Sequence, residues 1–329
     1  MACRGRSSRI QAATGGAHSV LPGRTAAGTL ASRSQPWFSG NVRHAARRVA
    51  RSATATGTVP RMNEAKPARG RFRRLSLQRR LMADLMAASF RTPIIAGERL
   101  LRVGEAARAR RSFPKAPGWT AIILKAFAIV STRRPLLRQV RVSFPFPHLY
   151  EHPVSVATVL IEREWRGEGG VFFDQIVAPE TMPLAELDIV IRGLRDRPVE
   201  SVGGFRRMLR FTKYPLPLRR LLWWLGLRGS GYLHARYFGT FSVNSISLPR
   251  ARMVQTTTPI TISLIHMPLE PSDQIRLSAA FDHRVLDGME VGRALGEVEA
   301  VINREIVAEL RAMAAERSRA SGVAPAPAR

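Results

Sequence analysis

The run Ala280-Phe281-Asp282-His283-Arg284-Val285-Leu286-Asp287-Gly288 joins a strand pattern to a helix pattern, so any fold of this chain must contain that strand–turn–helix unit. Upstream, Ile275, Leu277, Ala279 and Phe281 alternate with Arg276, Ser278 and Ala280, the period-2 signature of a strand. Downstream, Val291, Leu295, Val298 and Ile302 recur at helical spacing. A histidine at a strand end, just before a Gly-containing turn, reaches into a cleft while its backbone stays fixed, which is where a general base is useful. Two plainer readings compete. Asp287 with Glu290 has the spacing of a capping box at the start of the helix, and a single histidine in a loop is often only a satisfied polar residue.

The chain is long and apolar enough to bury a full core, with 329 residues of which 45% are hydrophobic. No apolar run approaches the roughly 20 residues needed to span a bilayer. Cys3 is the only cysteine, so neither an internal disulfide nor a thiolate metal cluster is open to this chain. The net charge of +28 comes almost wholly from arginine; the lysines are Lys66, Lys115, Lys125 and Lys213. That bias reads as codon usage in a GC-rich genome, so the charge permits nucleic-acid binding without pointing to it, and nucleic acid is not an expected partner.

Residues 1–70 carry no Asp or Glu before Glu64 and no sustained apolar period, a composition that cannot offset its own chain entropy by burial. It reads as a disordered basic extension. An organelle transit peptide, a basic tail, or sequence upstream of a true start at Met62 all fit, the last being favoured for a bacterial chain. Composition places the folded domain over 71–312 and a second tail over 313–329.

Between these ends, helices and strands alternate. Ile122, Leu124, Phe127 and Val130 form an apolar helix face. Val154, Val156, Thr158 and Leu160 alternate with Ser155, Ala157 and Val159, a strand apolar on both faces and therefore central. Val171-Phe172-Phe173 follows Gly169-Gly170, which suggests a hairpin there. A helix is expected after Pro183, from Leu184 to Gly193, and strands over Thr240–Leu248, Pro259–Ile265 and Ile275–Phe281. The pattern predicts an α/β sandwich.

The His283 run resembles the signature of the 2-oxo acid dehydrogenase acyltransferase family, the catalytic domain of dihydrolipoamide acyltransferases, whose fold chloramphenicol acetyltransferase shares. Four further stretches are similar to that family and occur in its order: LSLQRRLMADLMAAS from Leu75 to Ser89, the Lys-bearing helix WTAIILKAFAIVSTRRPLL from Trp119 to Leu137, the paired strands and helix start from His152 to Leu187, and GTFSVNS from Gly239 to Ser245. Together they cover roughly residues 72–305. The resemblance implies a chloramphenicol acetyltransferase-like two-layer sandwich, with a mixed β-sheet carrying helices on one face, assembled as a trimer whose active site lies between subunits. It implies His283 as the general base, Asp287 as the residue that organises the site, and CoA or acyl-CoA as substrate rather than as a bound cofactor. A nonribosomal condensation domain fits less well, because it would carry a second histidine at Asp282.

Acyl transfer needs a base for the attacking thiol or hydroxyl and a donor for the oxyanion. Imidazole, which exchanges protons near neutral pH, suits the first role. In the family, a serine on the Gly-Thr-Phe-Thr-x-Ser strand supplies the second. The alignment puts Asn244 there, with Ser242 two residues earlier on the same strand face and Ser245 next door on the opposite face. A substituted site using the Asn244 amide and a one-residue bulge presenting Ser245 both remain open, as does a plain polar strand face. By analogy, Arg79 or Arg80 is a candidate to pair with Asp287. The chain departs from the family at Thr92-Pro93-Ile94-Ile95, where Thr-x-Pro-His is usual, and at Leu85, where a second Arg is usual. It shows no lipoyl or subunit-binding segment, so a stand-alone enzyme is expected rather than the core of a dehydrogenase complex.

Residues 201–269 lack any acidic residue but carry ten basic ones, among them Arg206, Arg207, Arg210, Arg219 and Arg228. Within them, Leu216–Leu227 reads as a short amphipathic helix with Trp and Arg edges, suited either to packing at a subunit interface or to lying on an anionic membrane surface. His148 and His152 have the four-residue spacing of helical metal ligands, but Pro145, Pro147 and Pro153 argue against a helix and no metal site is expected. No cofactor-binding residue is assigned. The expected protein is a cytoplasmic, trimeric acyltransferase with an unknown acceptor, peripheral to a membrane if 216–227 lies on one. The contrasting reading is a catalytically idle trimeric scaffold, or a membrane-surface binding protein of the same fold.

Overall fold

The computed structural model describes residues 70–245 and 257–320. The chain divides after Arg71, and the described elements belong to the second unit, Phe72–Arg329. The extension over 1–70 and the segment 246–256 lie outside the described residues, apart from Gly70.

In chain order the elements are α1 (Leu77–Ser89), β1 (Ile94–Arg102), α2 (Gly104–Arg110), α3 (Trp119–Arg133), β2 (Gln139–Val142), β3 (His148–Glu151), β4 (Val156–Trp165), β5 (Glu168–Val177), α4 (Leu184–Asp196), α5 (Gly203–Thr212), α6 (Leu216–Trp224), α7 (Gly231–Phe238), β6 (Phe241–Ser245), β7 (Ile262–His266), β8 (Gln274–Asp282), α8 (Gly288–Val301) and α9 (Val307–Ala320). Six strands form one sheet in the order β1-β8-β7-β6-β4-β5, with β2 and β3 paired separately. The sheet is mixed because β6 runs parallel to both β4 and β7, while β1–β8, β7–β8 and β4–β5 are antiparallel. The strand read as central is β4, flanked on both sides as its two apolar faces require.

The main core lies between this sheet and a helical layer. Every side chain of α3 from Thr120 to Ala128 is buried. Lys125 is accepted there because its ammonium meets both Glu309 oxygens, at 2.7 and 2.6 Å, and Glu309 also takes the Leu184 N–H. The lysine of the family-like helix is thus a core ion pair. Main-core side chains of α4 and α8, such as Leu187, Ile191, Leu295 and Val298, complete the layer.

Several sequence expectations are corrected. The expected hairpin forms, but its β4–β5 turn is Arg166-Gly167, both at positive φ, the geometry of a two-residue hairpin. Gly169 and Gly170 lie inside β5, and a Cβ at Gly170 would meet Gln78 at 2.8 Å, so that glycine serves packing rather than turning. The C-terminal helix runs past Ala312 to Ala320, because Val307 and Leu310 anchor it in the core. The helical layer is also not the whole helical content. Phe172 and Phe173 are neighbours on β5 and so face opposite sides of the sheet. Phe172 joins the main core; Phe173 packs on a second cluster of Leu81, Met208, Trp223 and Leu227 contributed by α1, α5 and the α6 region. Helices therefore also cover the second face at the β5 edge. The segment read as one amphipathic helix is α6 followed by a π-turn over Leu225–Gly229. It packs inward through Trp223 and through Arg219, whose guanidinium meets Asp84 at 2.7 Å, and leaves Leu216, Leu218, Leu221 and Trp224 exposed.

Candidate active site

β8 ends at Asp282, and the chain then turns tightly into α8. The Asp282 carbonyl accepts the Val285 and Leu286 N–H groups, and its buried carboxylate takes the Arg284 backbone N–H at 3.0 Å and Arg284 Nε and Nη2 at 2.9 and 2.6 Å. Val285 and Leu286 are buried as anchors. The clasp between Asp282 and Arg284 was not singled out in the sequence; an acidic residue two positions before an arginine at a strand end was its available signal.

This turn holds His283 at three points. Its backbone N–H donates to the Pro93 carbonyl at 3.1 Å. Phe281 stands edge-on, with ring centroids 6.1 Å apart. Its Nδ1 lies 2.9 Å from the Leu286 carbonyl. A carbonyl only accepts, so the proton sits on Nδ1 and the Nε2 lone pair is left free. The ring is 46% exposed. Asp287 lies at the N-cap of α8, but its side chain makes no cap hydrogen bond. Its carboxylate is 81% exposed, 3.7 Å from His283 Nδ1. The capping box is not formed: Glu290 is drawn instead to Arg134 and Arg293, at 3.0 and 2.6 Å. Neither candidate arginine reaches Asp287 in this chain. Arg79 pairs with Glu168 at 3.2 Å, and Arg80 rides the same helix, which packs on β5 at the far sheet edge. The cationic groups near the turn are others. Arg228 has its pKa lowered by burial first and then by Arg91, Arg284 and Arg141.

The oxyanion candidates lie on β6. Gly239 opens that segment at φ 81°, ψ 171°, and Thr240 clamps it to β4 through Val156. Ser242 is fully buried and shares a short hydrogen bond with Ser263. Asn244 and Ser245 at the strand end are half-buried. Asn244 is in register with Ile265, and Ile265 with Ser278. Ser278 precedes His283 by five residues, so Asn244 sits about 17 Å along the strand direction from His283, at roughly 3.4 Å per residue. One chain therefore brings His283 and Asp287 together but not His283 and Asn244, and Ser245, next to Asn244, shares its end of the sheet.

His148, His152 and His266 make structural contacts. His148 and His152 direct Nδ1 to the carbonyls of Phe146 and Val154, at 2.7 and 2.8 Å. His266 is buried with Nε2 2.9 Å from Thr120 Oγ1, and burial pushes its pKa down to about 4. Among the described residues no group of three or more His, Cys, Asp or Glu side chains is placed to hold a metal ion.

This strand order, with a helical layer on a mixed sheet, is a fold also found among solved acyltransferase structures. Among solved structures, the cubic core of the pyruvate dehydrogenase multienzyme complex superposes at a TM-score of 0.50 with 14% identity, over 77% of this chain and 99% of that one. The Azotobacter vinelandii dihydrolipoamide acetyltransferase gives 0.49 and 15%, over 77% and 99%, and a chloramphenicol acetyltransferase 0.42 and 10%, over 70% and 96%. No family model and no curated protein matches the sequence.

Proposed function

We propose that the protein is a CoA-dependent acyltransferase, moving an acyl group between a CoA thioester and a thiol or hydroxyl acceptor. The observation that carries the proposal is the His283 ring, half-exposed, with Nδ1 committed to the Leu286 carbonyl and Nε2 free to take a proton. The acceptor gives its proton to Nε2 as its sulfur or oxygen bonds to the thioester carbonyl carbon. The tetrahedral oxyanion then collapses, the carbon–sulfur bond breaks, and Nε2 returns the proton to the departing CoA thiolate. Asp287, 3.7 Å from the ring, favours the transient imidazolium.

The oxyanion donor is assigned to the β6 end. Ser242 is occupied by Ser263, whereas Asn244 and Ser245 are accessible. Their distance from His283 supports a homotrimer in which β6 of one copy faces His283 of the next. A second reading, binding at a membrane surface without catalysis, draws on the exposed apolar residues of α6. The test is turnover of an acyl-CoA panel with thiol acceptors by the wild type and by His283→Ala. Loss of about 10²-fold or more supports the enzyme; equal rates leave the scaffold.

A further inference from the structure

On the second face of the sheet, at the β5 edge, α1, α5, the α6 region and α7 enclose a cavity of about 370 Å³. Its floor is the buried cluster of Leu81, Met208 and Trp223. Phe173, Phe211 and Phe238 form the walls, with Trp223 stacked on Phe238 at 5.3 Å and edge-on to Phe211 at 5.7 Å. Gly226 lets this wall close up, since a Cβ there would stand 2.9 Å from the Phe238 ring. Among the described residues, the charged ones lining the cavity are Arg207 and Arg210, both exposed at its rim. Arg207 lies 5.6 Å over the Tyr237 ring and 3.7 Å from Asp174, while Arg210 makes no ion pair among the described residues.

An aromatic interior with two arginines at its rim has a definite chemical complement. We propose that this cavity binds a single-chain amphiphile, its hydrocarbon body against Trp223, Phe211 and Phe238 and its anionic head, carboxylate or phosphate, on Arg207 and Arg210. The volume falls within the range of about 300–1,000 Å³ typical of small-molecule sites, and an anion at two guanidinium groups gains charge-assisted hydrogen bonds. The chain's own N-terminal extension is a poor occupant, because it is arginine-rich and has no acidic residue before Glu64. The cavity is separate from the His283 turn of the same chain. No residue of that turn lines the cavity, although its α6–α7 wall backs onto the turn, where Leu227, Arg228 and His234 share a smaller pocket with Asp282 and Arg284. The inference therefore stands whether or not His283 is catalytic.

Titration of the full chain with monomeric dodecanoate and dodecyl phosphate, followed by tryptophan fluorescence and melting temperature, tests the site. Dodecyltrimethylammonium and phosphatidylglycerol vesicles serve as comparison ligands. Saturable one-to-one binding of either anion, weakened at least tenfold by Arg210→Glu and abolished by the cavity-filling Leu233→Trp, is expected. Arg210 is exposed, so its variant remains informative if Leu233→Trp does not fold. The proposal is overturned if the ammonium amphiphile binds as tightly, if Arg210→Glu leaves the affinity unchanged, or if only the vesicles bind.

Discussion

Replacing His234 with leucine should stabilise the protein, and increasingly so in acid. His234 on α7 is 2% exposed; neither ring nitrogen has a partner at hydrogen-bond geometry among the described residues, and the nearby Leu227 backbone and Asp282 charge offset only part of the burial cost. A buried polar group left unpaired costs about 1–3 kcal/mol, so at pH 7.5 the variant is expected to match the wild type or exceed it by up to that amount. Burial also pushes the His234 pKa down to about 4. Between that value and the unfolded value of about 6.5, the unfolded chain binds a proton that the folded chain refuses, so wild-type stability falls as pH drops through this window. The shift of about 2.5 pH units corresponds to roughly 3 kcal/mol lost by pH 4. Leucine cannot titrate, so the stability gap between variant and wild type should widen by about that much from pH 7.5 to pH 4. Urea unfolding at half-unit pH steps measures the gap directly. A variant less stable at neutral pH, or a gap independent of pH, would refute the reasoning.

His266→Gln should likewise flatten the acid limb of the stability profile, because the His266 pKa is also about 4; an unchanged profile would count against it. Arg219→Leu leaves Asp84 buried and unpaired, their side chains being 10% and 11% exposed, and is expected to cost about 3–5 kcal/mol in urea unfolding, with most of the loss recovered when Asp84→Leu is added. Gly239→Ala forces a side chain into a φ, ψ region kept for glycine and against the Val156 carbonyl at 2.7 Å and Thr158 Oγ1. A loss of at least about 1–3 kcal/mol in thermal or urea unfolding is expected. Asn244→Ala should lower kcat by about 10²–10³-fold if its amide holds the oxyanion, with melting temperature unchanged because the residue is only half-buried.

The sandwich was legible because its strands announce themselves by alternation and its histidine turn by composition. The strand expected over Ile275–Phe281 appears as Gln274–Asp282, and the helix expected from Leu184 as Leu184–Asp196. Local turn chemistry misled where two glycine signals competed: Arg166-Gly167 has the positive φ values, yet Gly169-Gly170 has the stronger composition. The Asp287–Glu290 spacing satisfied a capping rule, but Arg134 and Arg293, one of them distant in sequence, took the glutamate. Tertiary pairing decided Arg79 in the same way, because which strand edge α1 would reach is not written in α1. The cavity under α6 was invisible for a similar reason: its walls come from five separate segments, and the sequence showed only one amphipathic stretch. The separation of Asn244 from His283 required the sheet order, which periodicity does not give.

The most direct measurement is CoA release from an acyl-CoA panel in the presence of a dithiol acceptor, comparing the wild type with His283→Ala at matched folded concentration. The account predicts steady turnover by the wild type and a loss of about 10²–10⁴-fold on removing the imidazole. Turnover that survives His283→Ala unchanged would contradict it.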